Sequence, residues 1–207
     1  MSTIKTNQIQ HNSVGAATYT LPATDGSAGQ VLQTNGSGVL SWVTNNNSIT
    51  ETSATSLGTG QYYDWTGLDS TDVKKYRILI QGLSWGSAEN PNFKIGDSGG
   101  LEGSGYTVGA YYFSNSNYGG NQFRTGGWHF YSLESASIVY DVDFELTRYD
   151  GNKWYGVGWA NKTGDSDGTS YHVRGMKELS GALTTISLSS FNAAVIDSGS
   201  AKLFTYK

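Results

Sequence analysis

Residues 17–43 read ATYTLPATDGSAGQVLQTNGSGVLSWV, which is a series of short strand-like segments joined by glycine turns. These segments carry too few apolar side chains to bury a core, and strands this short do not form a stable sheet alone in water. Identical copies wrapped around a common axis would cover the apolar side chains, so the pattern predicts an extended arm that is buried only on assembly. The side chains concerned are Tyr19, Leu21, Val31, Leu32, Val39, Leu40, Trp42 and Val43.

The run LPATDGSAGQVLQTNGSGVLSW, residues 21–42, closely resembles a segment of bacteriophage tail-fibre proteins, those of cyanobacterial phages in particular, in which it precedes a distal β domain. The opening MSTIKTN resembles the start of short virion proteins from the same phages. A second resemblance is to a β-sandwich module of phage tail proteins. It is carried by YRILIQGLS at 76–84, FKIGDSGG at 93–100 and SGY at 104–106.

These resemblances imply a homotrimeric tail fibre, a structural protein of the virion that is assembled in the host cytoplasm and acts outside the cell. Residues 1–44 would be the attachment and trimerisation arm, in contact with other tail or capsid proteins. The distal domain would bind a host-surface receptor, but the distal tips of such fibres diverge with the receptor, so the resemblance supplies no binding or catalytic residues. A fibre or decoration protein anchored on the capsid is the alternative within virion proteins.

The composition independently favours an all-β protein, because 28 glycines and 14 tyrosines leave few helix formers. The net charge is −4 and the 13 lysines and arginines are dispersed, so we expect no nucleic-acid partner. There is no apolar run of about 18 residues, so no membrane insertion is expected. The absence of cysteine excludes disulfides, thiolate catalysis and cysteine-ligated zinc. We expect no cofactor.

A polar tract at residues 45–57 predicts a linker between the arm and a distal domain at 58–207. Short strands with frequent turn signals predict an antiparallel β-sandwich, resembling a jelly roll, in that domain. The only helical candidate is a turn near residues 70–74. The predicted strands are Lys75–Leu83, Asn92–Ile95, Tyr106–Ser114, Trp128–Tyr131, Ser137–Arg148, Lys153–Asn161, Thr169–Met176, Leu183–Phe191 and Ala201–Tyr206.

The dipeptide Asp150-Gly151 predicts a hairpin with a two-residue turn. This turn would pair Leu146 with Tyr155, Phe144 with Val157 and Val142 with Trp159 on one apolar face, which we expect to lie in the core. The opposite face would then set carboxylates beside glycines in a shallow acidic trough, formed by Asp141, Asp143 and Glu145 with Gly156 and Gly158.

The acidic trough has two interpretations. Residues two apart on a strand lie about 7 Å apart, within the range of glycosidase carboxylate pairs, so Asp143 and Glu145 could be the acid and base of a polysaccharide depolymerase. A solvated sheet face is the simpler interpretation, because the glycine-lined trough offers little apolar wall to raise the pKa of an acid. We therefore predict no catalytic residues and no enzymatic activity.

Other candidate sites are weaker. The segment 165–168, Asp-Ser-Asp-Gly, could supply oxygens to calcium but lacks the glutamate that completes an EF-hand loop, so we expect a turn and no metal. The histidines His11, His129 and His172 lack metal-ligand spacing. The serines have no nucleophile-elbow context.

Residues 114–122 predict a polar loop with an aromatic residue in its middle. Tyrosine, asparagine and glutamine on a loop held by a stiff sheet suit sugars, because rings stack on C–H faces while amides bind hydroxyls. The alternative is that the aromatic residues cap one end of the sandwich or line a subunit interface. The candidate residues for binding a receptor, which we expect to be a glycan, are Tyr111, Asn115, Asn117, Tyr118, Asn121, Gln122 and Trp128.

Overall fold

The computed structural model describes residues 6–10, 18–45, 48–115, 117–130, 136–163 and 168–207, with the backbone but not the side chains of residues 121 and 122. All the regular structure in these ranges is β, which confirms the predicted class. The chain divides into two compact units, an N-terminal unit at 1–48 and a distal domain at 49–207.

The N-terminal unit consists of two small antiparallel hairpins. They are formed by β1 (Gln8–Gln10) with β2 (Thr18–Thr20), and by β3 (Gln30–Thr34) with β4 (Leu40–Thr44). The indole N–H of Trp42 donates to the carbonyl of Thr24 at 2.9 Å, and the ring packs so closely on Gly26 that a Cβ there would lie 2.5 Å away. None of the described side chains of this unit is buried, so it has no core of its own.

The distal domain contains the remaining fourteen described strands. They are β5 (Ile49–Glu51), β6 (Thr55–Ser56), β7 (Tyr62–Trp65), β8 (Lys75–Trp85), β9 (Pro91–Asp97), β10 (Gly100–Leu101), β11 (Tyr106–Phe113), β12 (Tyr118–Arg124), β13 (Trp128–His129), β14 (Val139–Asp150), β15 (Lys153–Thr163), β16 (Ser170–Glu178), β17 (Thr185–Ser190) and β18 (Ile196–Tyr206). The larger sheet has the order β12-β11-β16-β15-β14-β8-β18-β5, with β6 also pairing β18, and the smaller has the order β10-β9-β17-β7, with β13 pairing β9.

The two sheets of the distal domain pack face to face through aromatic side chains. Phe93 of the smaller sheet stacks on Phe144 of the larger one, with ring centroids 4.1 Å apart and planes 7° apart. Trp128 meets Phe144 and Tyr106 edge to face, at 5.6 and 5.1 Å. Every buried apolar side chain of the described residues lies between Leu57 and Leu203. The predicted β-sandwich is thus the architecture of the distal domain.

The predicted linker is shorter than expected, because part of it belongs to the sandwich. Strand β5 pairs with the C-terminal part of β18, and β6 pairs with Ser200 and Ala201 of the same strand. Leu57 is buried in the core. The polar residues around these short strands face solvent at a sheet edge, which is why their composition resembles a linker. The expected helical turn at 70–74 contains no helix. Strand β13 covers Trp128 and His129 of the predicted strand Trp128–Tyr131, whose last residue lies outside the described part of the chain.

The β14–β15 hairpin forms as predicted, but its register is shifted by one residue. Phe144 lies opposite Gly158 and Leu146 opposite Gly156, so the predicted pairs with Val157 and Tyr155 are wrong. A bulge near Arg148 moves the turn to Gly151-Asn152, with Asp150 paired to Lys153. Strand β14 buries the face that was predicted, whereas β15 buries Trp154, Gly156, Gly158 and Ala160.

The glycines of β15 are buried because aromatic rings from the opposite sheet fill the space above them. A Cβ on Gly156 would lie 2.4 Å from the Trp128 ring, and one on Gly158 would lie 2.7 Å from the Phe130 ring. In β15 the glycine-lined face therefore belongs to the core, and the face of β15 that was predicted to be buried is exposed. The outer face of the hairpin consequently carries Tyr155, Val157 and Trp159 beside its carboxylates.

Candidate functional site

The outer face of the larger sheet carries one continuous row of side chains across six strands. Each member lies directly opposite the next in the strand pairing. From β11 to β18 the row consists of Tyr111, His172, Trp159, Asp143, Leu79 and Lys202. It begins with three rings and continues through Asp143 and the apolar Leu79 to Lys202, so an aromatic side chain and a carboxylate meet at its centre.

The three rings of this row form an aromatic stack, by which we mean Tyr111, His172 and Trp159. The Trp159 and His172 rings are 4.1 Å apart and tilted by 30°, and those of His172 and Tyr111 are 6.4 Å apart and 28° from parallel. Partial burial, with a smaller contribution from the Arg174 charge, lowers the pKa of His172. The imidazole is therefore neutral at neutral pH. Trp159 remains 43% exposed, and it is the most exposed of the six tryptophans.

The carboxylates predicted as a possible catalytic pair are held by cations of β8. The Arg77 guanidinium donates two hydrogen bonds to Asp143, at 2.9 and 2.6 Å. Glu145 accepts a hydrogen bond from Lys75 at 3.2 Å and lies 3.6 Å from Arg77. All four side chains are about one third exposed, so these ion pairs contribute at most about 1 kcal/mol each. Both carboxylates accept hydrogen bonds from cationic side chains, so neither is placed to act as a general acid.

A groove opens on the same face where the strand pairing is irregular. Strand β8 carries one extra residue within Gln81–Leu83 relative to each of its neighbours, β14 and β18, and Gly82 has a positive φ of 70°. Bulges bend strands and are frequent beside functional sites. The resulting groove has a volume of about 420 Å³. Its polar lining consists of Gln81, Asp141, Asp143, Asn161, Ser200 and Lys202.

The expected loop at 114–122 is an edge hairpin, formed by β11, a tight turn at 114–117 and β12. The amide of Ser114 donates to the carbonyl of Asn117 at 2.8 Å, which closes the turn. Gly120, with a φ of 111°, forms a bulge where a Cβ would lie 2.6 Å from the carbonyl of Ala110. Glycines and polar residues made this segment resemble a loop, but pairing with β11 makes it the edge strand of the larger sheet.

The predicted receptor-binding residues are only partly brought together. Tyr118, which is 86% exposed, lies on the edge hairpin, with the exposed Asn115 and Asn117 in its turn. Tyr111 belongs to the aromatic stack. The side chains of Asn121 and Gln122 lie outside the described part of the structure.

The inclusion of Trp128 among the receptor-binding residues is wrong. Its side chain is fully buried between the sheets, and its indole N–H donates to the carbonyl of Gly175 at 3.2 Å. Sequence reasoning also missed Trp159, His172 and the groove. The signal for them was the two-residue alternation on β15 and β16, which becomes readable only with the correct hairpin register.

The described residues contain no group of three or more histidine, aspartate or glutamate side chains placed to hold a metal ion. His11 and the aspartates at 165 and 167 lie outside the described residues. Across the described ranges there is also no helix with the length and apolarity needed to cross a membrane.

Comparisons of the chain with protein-family models, with curated proteins and with solved structures found no match.

Proposed function

We propose that this chain is a homotrimeric receptor-binding fibre protein of a phage virion. Its N-terminal unit attaches to other tail or capsid proteins, and its distal domain binds a host-surface glycan. The observation that carries the proposal is the contrast between the two units: a distal domain with a dense aromatic core follows an N-terminal unit that buries no described side chain. An element of this kind gains its stability from assembly.

The apolar side chains of the N-terminal unit support assembly. Four of them are between 44% and 53% exposed, because the short hairpins of this unit cannot cover them. They are Ile9, Val31, Leu32 and Val39. Val31 and Leu32 lie beside Trp42 and Val43 along an open depression on the β3–β4 hairpin. A second and third copy of the same hairpin would cover these side chains without requiring a different partner.

We expect the 207-residue chain to have three times its monomer mass of 22.2 kDa in solution. The assembly should survive dilution to micromolar concentration, because an arm buried between chains is stable only in the assembly. Multi-angle light scattering after size exclusion measures this mass directly. Replacing Val31 and Leu32 together by serine should shift the mass toward that of the monomer. The matched exposed pair Tyr62 and Phe191 of the distal domain should tolerate serine without such a shift. A wild-type mass of 22 kDa would remove the basis of the fibre proposal.

The edge hairpin supports a role in binding. Tyr118 projects an almost fully exposed ring next to Phe113, its partner across the hairpin, which is 48% exposed. Amide side chains lie in the adjoining turn, at Asn115 and Asn117. Exposed rings beside amides are suited to sugars, because they offer a stacking surface and hydrogen-bond partners together.

Replacing Tyr118 by alanine should weaken adsorption of the fibre to host cells and leave the melting temperature unchanged. The exposed ring contributes to ligand stacking and little to the core. Tyr62→Ala, which removes an exposed tyrosine from the smaller sheet, is the matched control and should leave both measurements unchanged. Normal adsorption together with a lowered melting temperature would instead place Tyr118 in a subunit interface.

The depolymerase alternative has less support. Its acid and base would be Asp143 and Glu145, and both are engaged as acceptors by Arg77 and Lys75. A general acid of a glycosidase must carry a proton to the leaving oxygen. Release of reducing ends from host polysaccharide by the purified chain would favour the enzyme. A capsid-anchored fibre would have the same distal domain and differs only in the partner of the N-terminal unit.

A further inference from the structure

We propose that the groove on the larger sheet, bordered by Trp159, binds an uncharged pyranose of the host glycan. This inference rests on the proposed glycan-binding function. It places a sugar on the face of the sheet, at a site separate from the edge hairpin, and it specifies that the sugar carries no charge.

The backbone shapes the groove before any ligand arrives. The bulge of β8 interrupts its pairing with β14 and β18 around Gln81–Leu83, and the amide of Gly82 donates to Asp141 Oδ1 at 2.9 Å. Ala54 and Leu79 provide apolar surface within the groove. Its volume of about 420 Å³ lies within the usual range for small-molecule sites. A preformed site of this kind limits the entropy lost on binding.

Hydrogen bonds within the protein hold two polar side chains of the groove, Asp141 and Asn161, in fixed orientations. One oxygen of Asp141 is held by the Gly82 amide, and a carboxylate has further lone pairs with which to accept hydrogen bonds. Ser170 Oγ donates to Asn161 Oδ1 at 2.7 Å, which leaves the amide NH₂ of Asn161 as the donating group. Acceptors and donors held side by side match the hydroxyls of a sugar, since each hydroxyl both donates and accepts.

Trp159 supplies a stacking surface at the border of the groove. It lies opposite Asp143 in the strand pairing and two residues before Asn161, so all three side chains share one face of the sheet. His172 covers one face of the indole at 4.1 Å. The other face is therefore the one available for the C–H face of a pyranose. The aromatic stack holds the indole in place and so lowers the entropy cost of binding.

Charge selects the class of sugar. Asp143 is neutralised by Arg77, and Lys202 by Glu51 at 2.5 Å. Among the described residues Asp141 forms no ion pair, so a negative charge remains beside the groove. Repulsion from this charge disfavours sugars that carry carboxylates, such as uronic acids. A neutral hexose satisfies the donors and acceptors without that repulsion.

The test uses the 207-residue chain and glycan released from the host envelope. The glycan is first separated by anion exchange into neutral and acidic fractions. The neutral fraction should bind and should partly protect tryptophan fluorescence from quenching by acrylamide, because Trp159 is the most exposed of the six tryptophans. Trp159→Ala should weaken binding at least tenfold and abolish the protected signal. Asp141→Asn keeps the shape of the groove and should weaken binding severalfold. The control Tyr62→Ala should bind as the wild type does.

The remaining outcomes overturn the inference in distinguishable ways. Binding of the acidic fraction alone would contradict the assigned charge class. Neutral binding that Tyr118→Ala abolishes but Trp159→Ala and Asp141→Asn leave unchanged would place the site on the edge hairpin, and the proposed glycan-binding function would stand. If neither fraction binds, that function fails as well. A reduced assembly mass for Trp159→Ala with unchanged glycan binding would identify this face as a contact between copies of the chain.

Discussion

Replacing Trp128 by alanine should lower the free energy of unfolding of the distal domain by about 3–5 kcal/mol, the range for a large aromatic removed from a core. The side chain is fully buried, contacts Tyr106 and Phe144 edge to face, and donates to the carbonyl of Gly175. Urea unfolding followed by circular dichroism measures the loss. Trp159→Ala is the matched control, because it removes the same side chain from the exposed face and should cost less than about 1 kcal/mol. Equal losses in the two variants would contradict the burial of Trp128 between the sheets.

The contact between Trp128 and Gly156 permits a double-mutant test of the same packing. Gly156→Ala should cost about 1–3 kcal/mol, because its Cβ would lie 2.4 Å from the Trp128 ring. In the double variant with Trp128→Ala the ring is absent, so the alanine at 156 no longer clashes with it. The double variant should therefore lose less unfolding free energy than the sum of the losses of the two single variants. Simple additivity would show that the glycine and the ring do not touch, and would favour the register predicted from the Asp150-Gly151 turn.

Acidification should destabilise the distal domain through His129. The imidazole is buried, and neither of its nitrogens has a hydrogen-bond partner among the described residues. Burial, with a smaller contribution from the Arg124 charge, lowers the pKa of His129 to about 4 from an ordinary value of 6.5. Because the unfolded chain takes up this proton first, stability is full above pH 6.5 and is lost as the pH falls toward 4. The loss should be about 3 kcal/mol.

Measurement of this loss requires a variant that keeps the ring and removes the titration. His129 stacks on Phe191 at 4.6 Å with the planes 9° apart, so His129→Phe preserves the shape of the contact. The difference in unfolding free energy between variant and wild type should change by about 2–3 kcal/mol between pH 7.5 and pH 4.5. Other groups, including His172, titrate in both proteins and cancel in the difference. A difference that stays constant with pH would mean that His129 is not held neutral by the fold.

Much of the fold could be predicted from local patterns. Strand β14 alternates Val142, Phe144 and Leu146 with charged residues, and this alternation specifies its buried face. Strand β15 could not be assigned in the same way, because large apolar side chains occur on both of its faces. The burial of Gly156 and Gly158 depends on Trp128 and Phe130, which arrive from the other sheet and are distant in sequence. No local pattern contains that information.

The candidate site was harder to predict for the same reason. The row from Tyr111 to Lys202 exists only once six strands are placed in register, and a shift of one residue in one hairpin removes Trp159 from it. The groove depends on the bulge of β8 at Gln81–Leu83, which the sequence signals only through Gly82. The exposed Tyr118 was predicted correctly, because a single aromatic residue among polar ones and glycines is a local signal.

The pairing of β5 with β18 has a consequence for the order in which the domain folds. Glu51 and Lys202 are 151 residues apart in the chain, whereas β14, β15 and β16 are joined by short connections. During synthesis the three-strand meander can form first and β8 can pair with β14, while β5 must wait for β18 to leave the ribosome. Until then the edge of β8 opposite β14 has no strand to pair with. We expect slow closure of the sheet, with a nascent chain that depends on protection from aggregation until its last strand is in place.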